Sequence, residues 1–111
     1  MSMHYELDVF KTAVDLLRLV VRIVRTLPRD CKPDIPRRLM DRAEEIHELI
    51  RQANATCGDR VPLRDEIVKH LEKLKILVRA LHDEEIVAHG LWQQSNRLTT
   101  SLGKQLYGWI E

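Results

Sequence analysis

The chain has 111 residues, 44 % of them hydrophobic and 5 % aromatic, with 32 % charged and a net charge of +1. That size and balance fit one soluble helical domain spanning 1–111 and exclude a disordered or a strongly basic chain. The polar, acid-bearing start MSMHYELDVFK is no signal peptide, and the longest apolar run, LRLVVRIV, is broken by arginine, so no segment spans a bilayer.

Four periodic segments follow in order. In the first, Val9, Phe10, Ala13, Val14, Leu17, Val20, Val21, Val24 and Leu27 recur at spacings of three and four, an apolar helical stripe that stops at Leu27-Pro28. Leu16, Leu19 and Ile23 fall at its edge, which predicts a helix burying two faces and favours an oligomer. In the second, Pro36 suits a first turn, Leu39, Met40, Ala43, Ile46, Leu49, Ile50 and Ala53 keep the period, and Gly58 is expected to cap the end. The third carries Leu63, Ile67, Leu71, Leu74, Leu77, Val78 and Leu81. The acids at 83–85 mark a break or a fresh N-terminus. Ile86, Val87, Leu91, Leu98, Leu102, Leu106, Tyr107 and Ile110 belong to the fourth. Short connections between four such segments predict an all-α, up-down-up-down antiparallel four-helix bundle.

Cys31 and Cys57 flank the second segment, about 30 Å apart along a helix, too far for a disulfide. Two free thiols and no signal peptide lead to the expectation of a cytoplasmic protein. Enzymatic chemistry finds little support. Glu44 and His47 have the Glu-x-x-His spacing of bundle metal sites, but no second copy exists, and Glu66/His70 and Glu85/His89 are spaced by four on polar faces. Neither cysteine has a histidine near it in sequence, and no phosphate-cradling loop is present. The expectation is no catalytic residue, no metal and no cofactor.

Charge is unevenly distributed. Residues 1–38 carry eight Lys/Arg against five Asp/Glu, and the remainder is net acidic. Lys11, Asp15, Arg18, Arg22, Arg25 and Arg29 recur at intervals of four and three, a ridge opposite the apolar stripe that Lys32, Arg37 and Arg38 extend into the next segment. One explanation is a solvated face whose arginines pair with acids on a neighbouring helix. The other is a surface for phosphate or carboxylate, which guanidinium groups bind bidentately. Trp92 and Trp109 are candidates for core packing or for interface anchors.

The tail SLGKQLYGWIE places two glycines beside a tryptophan, and it resembles the closing motif of the accessory variability determinant (Avd) of diversity-generating retroelements. That family of small four-helix bundles also has relatives encoded in rRNA intervening sequences. Gly103, Lys104, Leu106, Gly108 and Trp109 match the motif, Leu71, Leu74, Leu77, Val78, Arg79 and Leu81 resemble the run before the last helix, and TLPR resembles the turn after the first. The resemblance implies a catalytically inert ring of five bundles that binds reverse transcriptase and template RNA during adenine-directed mutagenic cDNA synthesis. It gives the ridge residues Lys11, Arg18, Arg22, Arg25, Arg29, Arg37 and Arg38 the role of an RNA or polymerase surface. Small residues at 103 and 108, with Trp109 across them, would admit a close subunit or helix contact. The alternative is a protein-interaction module of the same superfamily with no nucleic-acid role.

Overall fold

The computed structural model describes residues 3–111, with side chains from Glu6 onward. It contains four helices, α1 (Met3–Thr26), α2 (Asp34–Ala55), α3 (Val61–Asp83) and α4 (His89–Trp109). Each packs on its neighbours in sequence and α1 closes the ring against α4. The result is the expected antiparallel bundle, 46 Å long and 23 × 18 Å across.

Local chemistry sets the ends. Pro28 follows α1 by two residues and forbids its continuation, because proline disfavours helical backbone in the residue before it. Glu6 in the first turn and Arg25 in the last complement the helix dipole. Asp59 Oδ1 accepts the Val61 amide at 3.0 Å, satisfying a free donor at the start of α3, where Pro62 needs none. Gly58 is not the cap of α2. The helix ends at Ala55, extended Thr56 closes it, and Gly58 uses its positive φ of 100° inside the following loop.

The acids at 83–85 end α3 and do not open α4, whose first turn contains no acid. Glu85 takes a left-handed φ of 61°, and Ile86 and Val87 both donate to the Leu81 carbonyl, at 2.8 and 3.1 Å. Val87 is thereby buried in the turn, outside any helix.

One continuous core runs through the bundle. The stripes expected for α2 and α3 are buried as read, with Met40, Leu63 and Leu77 at the margin. On α1 the stripe is rotated from expectation. Leu16, Leu19 and Ile23 are core residues, at most 1 % exposed, whereas Val14 and Val21 stand outward at 42 and 37 %. The three residues offered as a second apolar face therefore carry no argument for oligomers. Full burial of one such side chain is worth about 1.5–3 kcal/mol. Along α4 the buried line includes Ser95 and Thr99, whose hydroxyl donates back to the Ser95 carbonyl at 2.8 Å. Tyr107 is half exposed and stands outside the expected stripe. Among the described residues no helix is long and apolar enough to cross a membrane.

Candidate nucleic-acid and partner interface

A straight, glycine-free α1 carries the basic ridge outward along its length. Lys11, Arg18, Arg22 and Arg25 are all exposed, and 14 residues of helix separate the first from the last, about 21 Å. The structure brings Arg18, Arg22 and Arg25 around one shallow concavity with Asp15 and Val21. A second concavity continues from Arg22 and Arg25 past Thr26 to Leu91 at the start of α4. Arg29 is exposed in the connection beyond.

Ion pairing separates the arginines of this face from those of α2 and α3. Among the described residues Arg37, Arg38, Arg51, Arg64, Lys69, Lys75 and Arg79 each reach an acid on their own helix, whereas no ion pair joins Arg18, Arg22 or Arg25 of α1 to a carboxylate. From the ridge to a neighbouring helix, Arg22 Nη2 donates to the amide Gln94 Oε1 at 3.2 Å. Pairing with acids on adjacent helices is thus not what the α1 arginines do. Exposed Val14 and Val21 stand among them, and Leu7 extends the same face at 66 % exposure. Leu7, Val14 and Val21 are seven apart, as are Lys11, Arg18 and Arg25, so apolar and basic side chains alternate along one line.

Arg37 and Arg38 occupy a different environment. Both reach Asp34 in the first turn of α2, at 2.6 and 3.8 Å, which partly neutralises them. Arg38 opens onto the groove between α2 and α3 beside Asp41, Arg42, Glu45 and His70. Arg42 Nη1 donates to His70 Nδ1 at 2.7 Å, and burial together with the Arg42 charge holds that imidazole below its usual value.

Trp109 is 2 % exposed, packed 6.4 Å from Phe10, with the Arg60 guanidinium 5.0 Å over its ring. Arg64 sits 4.4 Å over Tyr107 and donates to the Ile110 carbonyl at 3.2 Å. Two arginines at the start of α3 therefore clamp the tail, a pairing across 46 residues that no local pattern announces. Gly103 is different: a Cβ placed there meets nothing within 4 Å, so no helix of this chain approaches it. It lies open in a groove between α3 and α4, among Thr99, Thr100, Tyr107, Val68 and Lys75. Gly108 is half-buried beside Trp109.

Cys31 and Cys57 are free, in the connections at opposite ends of α2. Glu44 is exposed while His47 is partly buried on α2, and among the described residues no group of three or more His, Cys, Asp or Glu surrounds a common point. No family model matches the chain, and comparison with curated proteins and with solved structures returns no significant match.

Proposed function

We propose that this protein is a non-enzymatic accessory subunit of an Avd-like diversity-generating retroelement, a cytoplasmic homo-oligomer, pentameric by the resemblance, that docks a reverse transcriptase and its RNA or cDNA. The observation that supports this reading is the outer face of α1, where Arg18, Arg22 and Arg25 converge beside Asp15 with no ion pair to a carboxylate among the described residues. Guanidinium groups placed at one-turn intervals on a rigid helix suit phosphate or carboxylate recognition. Net charge is only +1, so the attraction is local to this face, and several copies in one assembly would add their patches by multivalency.

Exposed Leu7, Val14 and Val21 between the basic residues favour a second reading, a protein-interaction module that takes an acidic amphipathic helix and no nucleic acid. The two readings separate in one experiment. The mass of the purified protein is measured in solution, alone and with a reverse transcriptase and RNA, across a salt series. A pentamer that captures polymerase and RNA, weakens with salt, and loses capture in Arg18→Glu/Arg22→Glu/Arg25→Glu fits the accessory subunit. Oligomerisation with indifference to RNA fits the interaction module. A monomer indifferent to both overturns the proposal.

A further inference from the structure

The turn between α3 and α4 brings together three rings from separate turns of helix. His82 belongs to the last turn of α3 and His89 opens α4. Their ring centroids are 5.2 Å apart, and His82 Nε2 lies 3.1 Å from His89 Nδ1. Trp92, one turn further along α4, stacks on His82 at 4.2 Å with 12° between the planes and reaches His89 at 5.3 Å. Below the pair the backbone is held by the left-handed Glu85, by Glu85 N–H donating to the His82 carbonyl at 2.9 Å, and by the two amides on Leu81. The imidazoles thus sit on a fixed turn, not on a loose loop.

Protonation follows from the neighbours. Asp83 Oδ1 is 3.3 Å from His82 Nδ1, and a carboxylate only accepts, so the neutral ring carries its proton on Nδ1. His82 Nε2 is then a bare lone pair aimed at His89. His89 Nδ1 either donates a hydrogen to it or, with the proton on its own Nε2, presents a second lone pair 3.1 Å away. The second arrangement is the one a metal ion selects. Two metal–nitrogen bonds of about 2.05 Å meeting at about 98° span about 3.1 Å, between square-planar and tetrahedral geometry.

We propose that His82 and His89 form a two-imidazole site for a divalent transition-metal ion of the copper(II) and zinc(II) class. Asp83 is the positioning residue: it fixes the His82 tautomer and the orientation of its ring, as carboxylates hydrogen-bonded to ligand histidines do. Trp92 holds the His82 ring by stacking. The chain supplies two ligands and water completes the sphere, so the metal is exchangeable and leaves positions for a group from a partner. The site does not depend on the functional reading above.

Copper(II) is the probe, because imidazole sites bind it most tightly among the first-row divalent ions and it quenches a nearby indole. The titration uses the full chain carrying His4→Ala, Cys31→Ser and Cys57→Ser, which removes competing ligands, and follows tryptophan emission. The expected result is a saturable, one-to-one quench that disappears in Trp92→Phe and is reversed by excess zinc(II). Trp109 lies 17 residues along α4, about 25 Å away, and stays unquenched. His89→Gln, at an exposed position, abolishes the quench while circular dichroism stays unchanged, and Asp83→Ala weakens copper binding about 10–100-fold with the ligands intact. His70→Gln leaves it untouched. Absence of a saturable quench, or a quench indifferent to both His89→Gln and His82→Ala, shows that the 3.1 Å contact is a hydrogen bond alone and overturns the proposal.

Discussion

The outer face of α1 and the outer faces of α2 and α3 are built from the same residue types and treat charge in opposite ways. On α2, Glu48 receives Arg51 at 2.6 Å and Asp34 receives Arg37 at the same distance. On α3, Lys69, Lys75 and Arg79 each reach an acid three or four residues away. Those charges are satisfied one turn along their own helix. On α1 the arginines follow one another at the same intervals, with Asp15 the single acid in the row, one turn before Arg18 and not ion-paired to it. A helix surface that neutralises itself needs nothing further, whereas one that concentrates a single sign retains its potential for something outside the chain.

Reversing the α1 charges gives the largest expected effect. Arg18→Glu/Arg22→Glu/Arg25→Glu turns attraction for an acidic partner into like-charge repulsion, a change of several kcal/mol. For single-stranded RNA, three lost phosphate contacts make the slope of log K against log salt shallower by about 2. Arg51→Glu on α2 leaves both quantities as they were. A filter-binding salt series on the two variants breaks the comparison if they behave alike.

The next effect sharpens where α1 divides its two sides. Leu19→Ala removes a fully buried side chain and costs about 2–5 kcal/mol, while Val14→Ala on the outer face stays within about 0.5 kcal/mol. Urea unfolding of the pair checks this. Gly103→Ala is smaller and of opposite sign. The added methyl meets nothing in this chain, so relief of the glycine penalty raises stability by about 0.5–1 kcal/mol in thermal melts. If Gly103 seats a neighbouring subunit, the same variant loses assembly while gaining monomer stability.

The smallest effect lies between α2 and α3. His70 titrates below 6.5 in the folded protein, first because it is partly buried and then because Arg42 faces it. The unfolded chain therefore binds the proton more readily, and this contribution is present above about pH 6.5 and is lost as pH falls towards the folded value. His70→Gln flattens that part of the stability profile, measured by chemical unfolding between pH 7.5 and 5.

The sequence made α2 and α3 readable because each carries one narrow apolar line against charged surroundings. α1 was readable as a helix but not in phase. Val9, Phe10, Ala13, Val14, Leu16, Leu17, Leu19, Val20, Val21 and Ile23 cover most of its circumference, so periodicity alone leaves the buried side open and packing against α2 and α4 decides it. The basic ridge was visible from spacing, since a regular helix preserves intervals of three and four. Its lack of acidic partners was not, because that depends on which residues the neighbouring helices turn towards it. The His82–His89 contact and the Arg64 clamp on Ile110 were equally hidden: one needs the left-handed Glu85, the other the start of α3 and the end of α4, 46 residues apart, meeting at one end of the bundle.

The side-by-side placement of α1 and α4 also shapes how the chain folds. Three of the four helix contacts join neighbours in sequence and can form early, but the α1–α4 contact must gather segments separated by the other two helices. Closure entropy grows only with the logarithm of the intervening length, about 0.6 kcal/mol for each doubling of a flexible loop. Extra residues between Thr56 and Arg60, an exposed connection, therefore slow assembly of the ring very little. The connection at Glu85 is of another kind. There a single left-handed residue and two amides on one carbonyl set the angle at which α4 returns, and an insertion would misdirect the helix that completes the core.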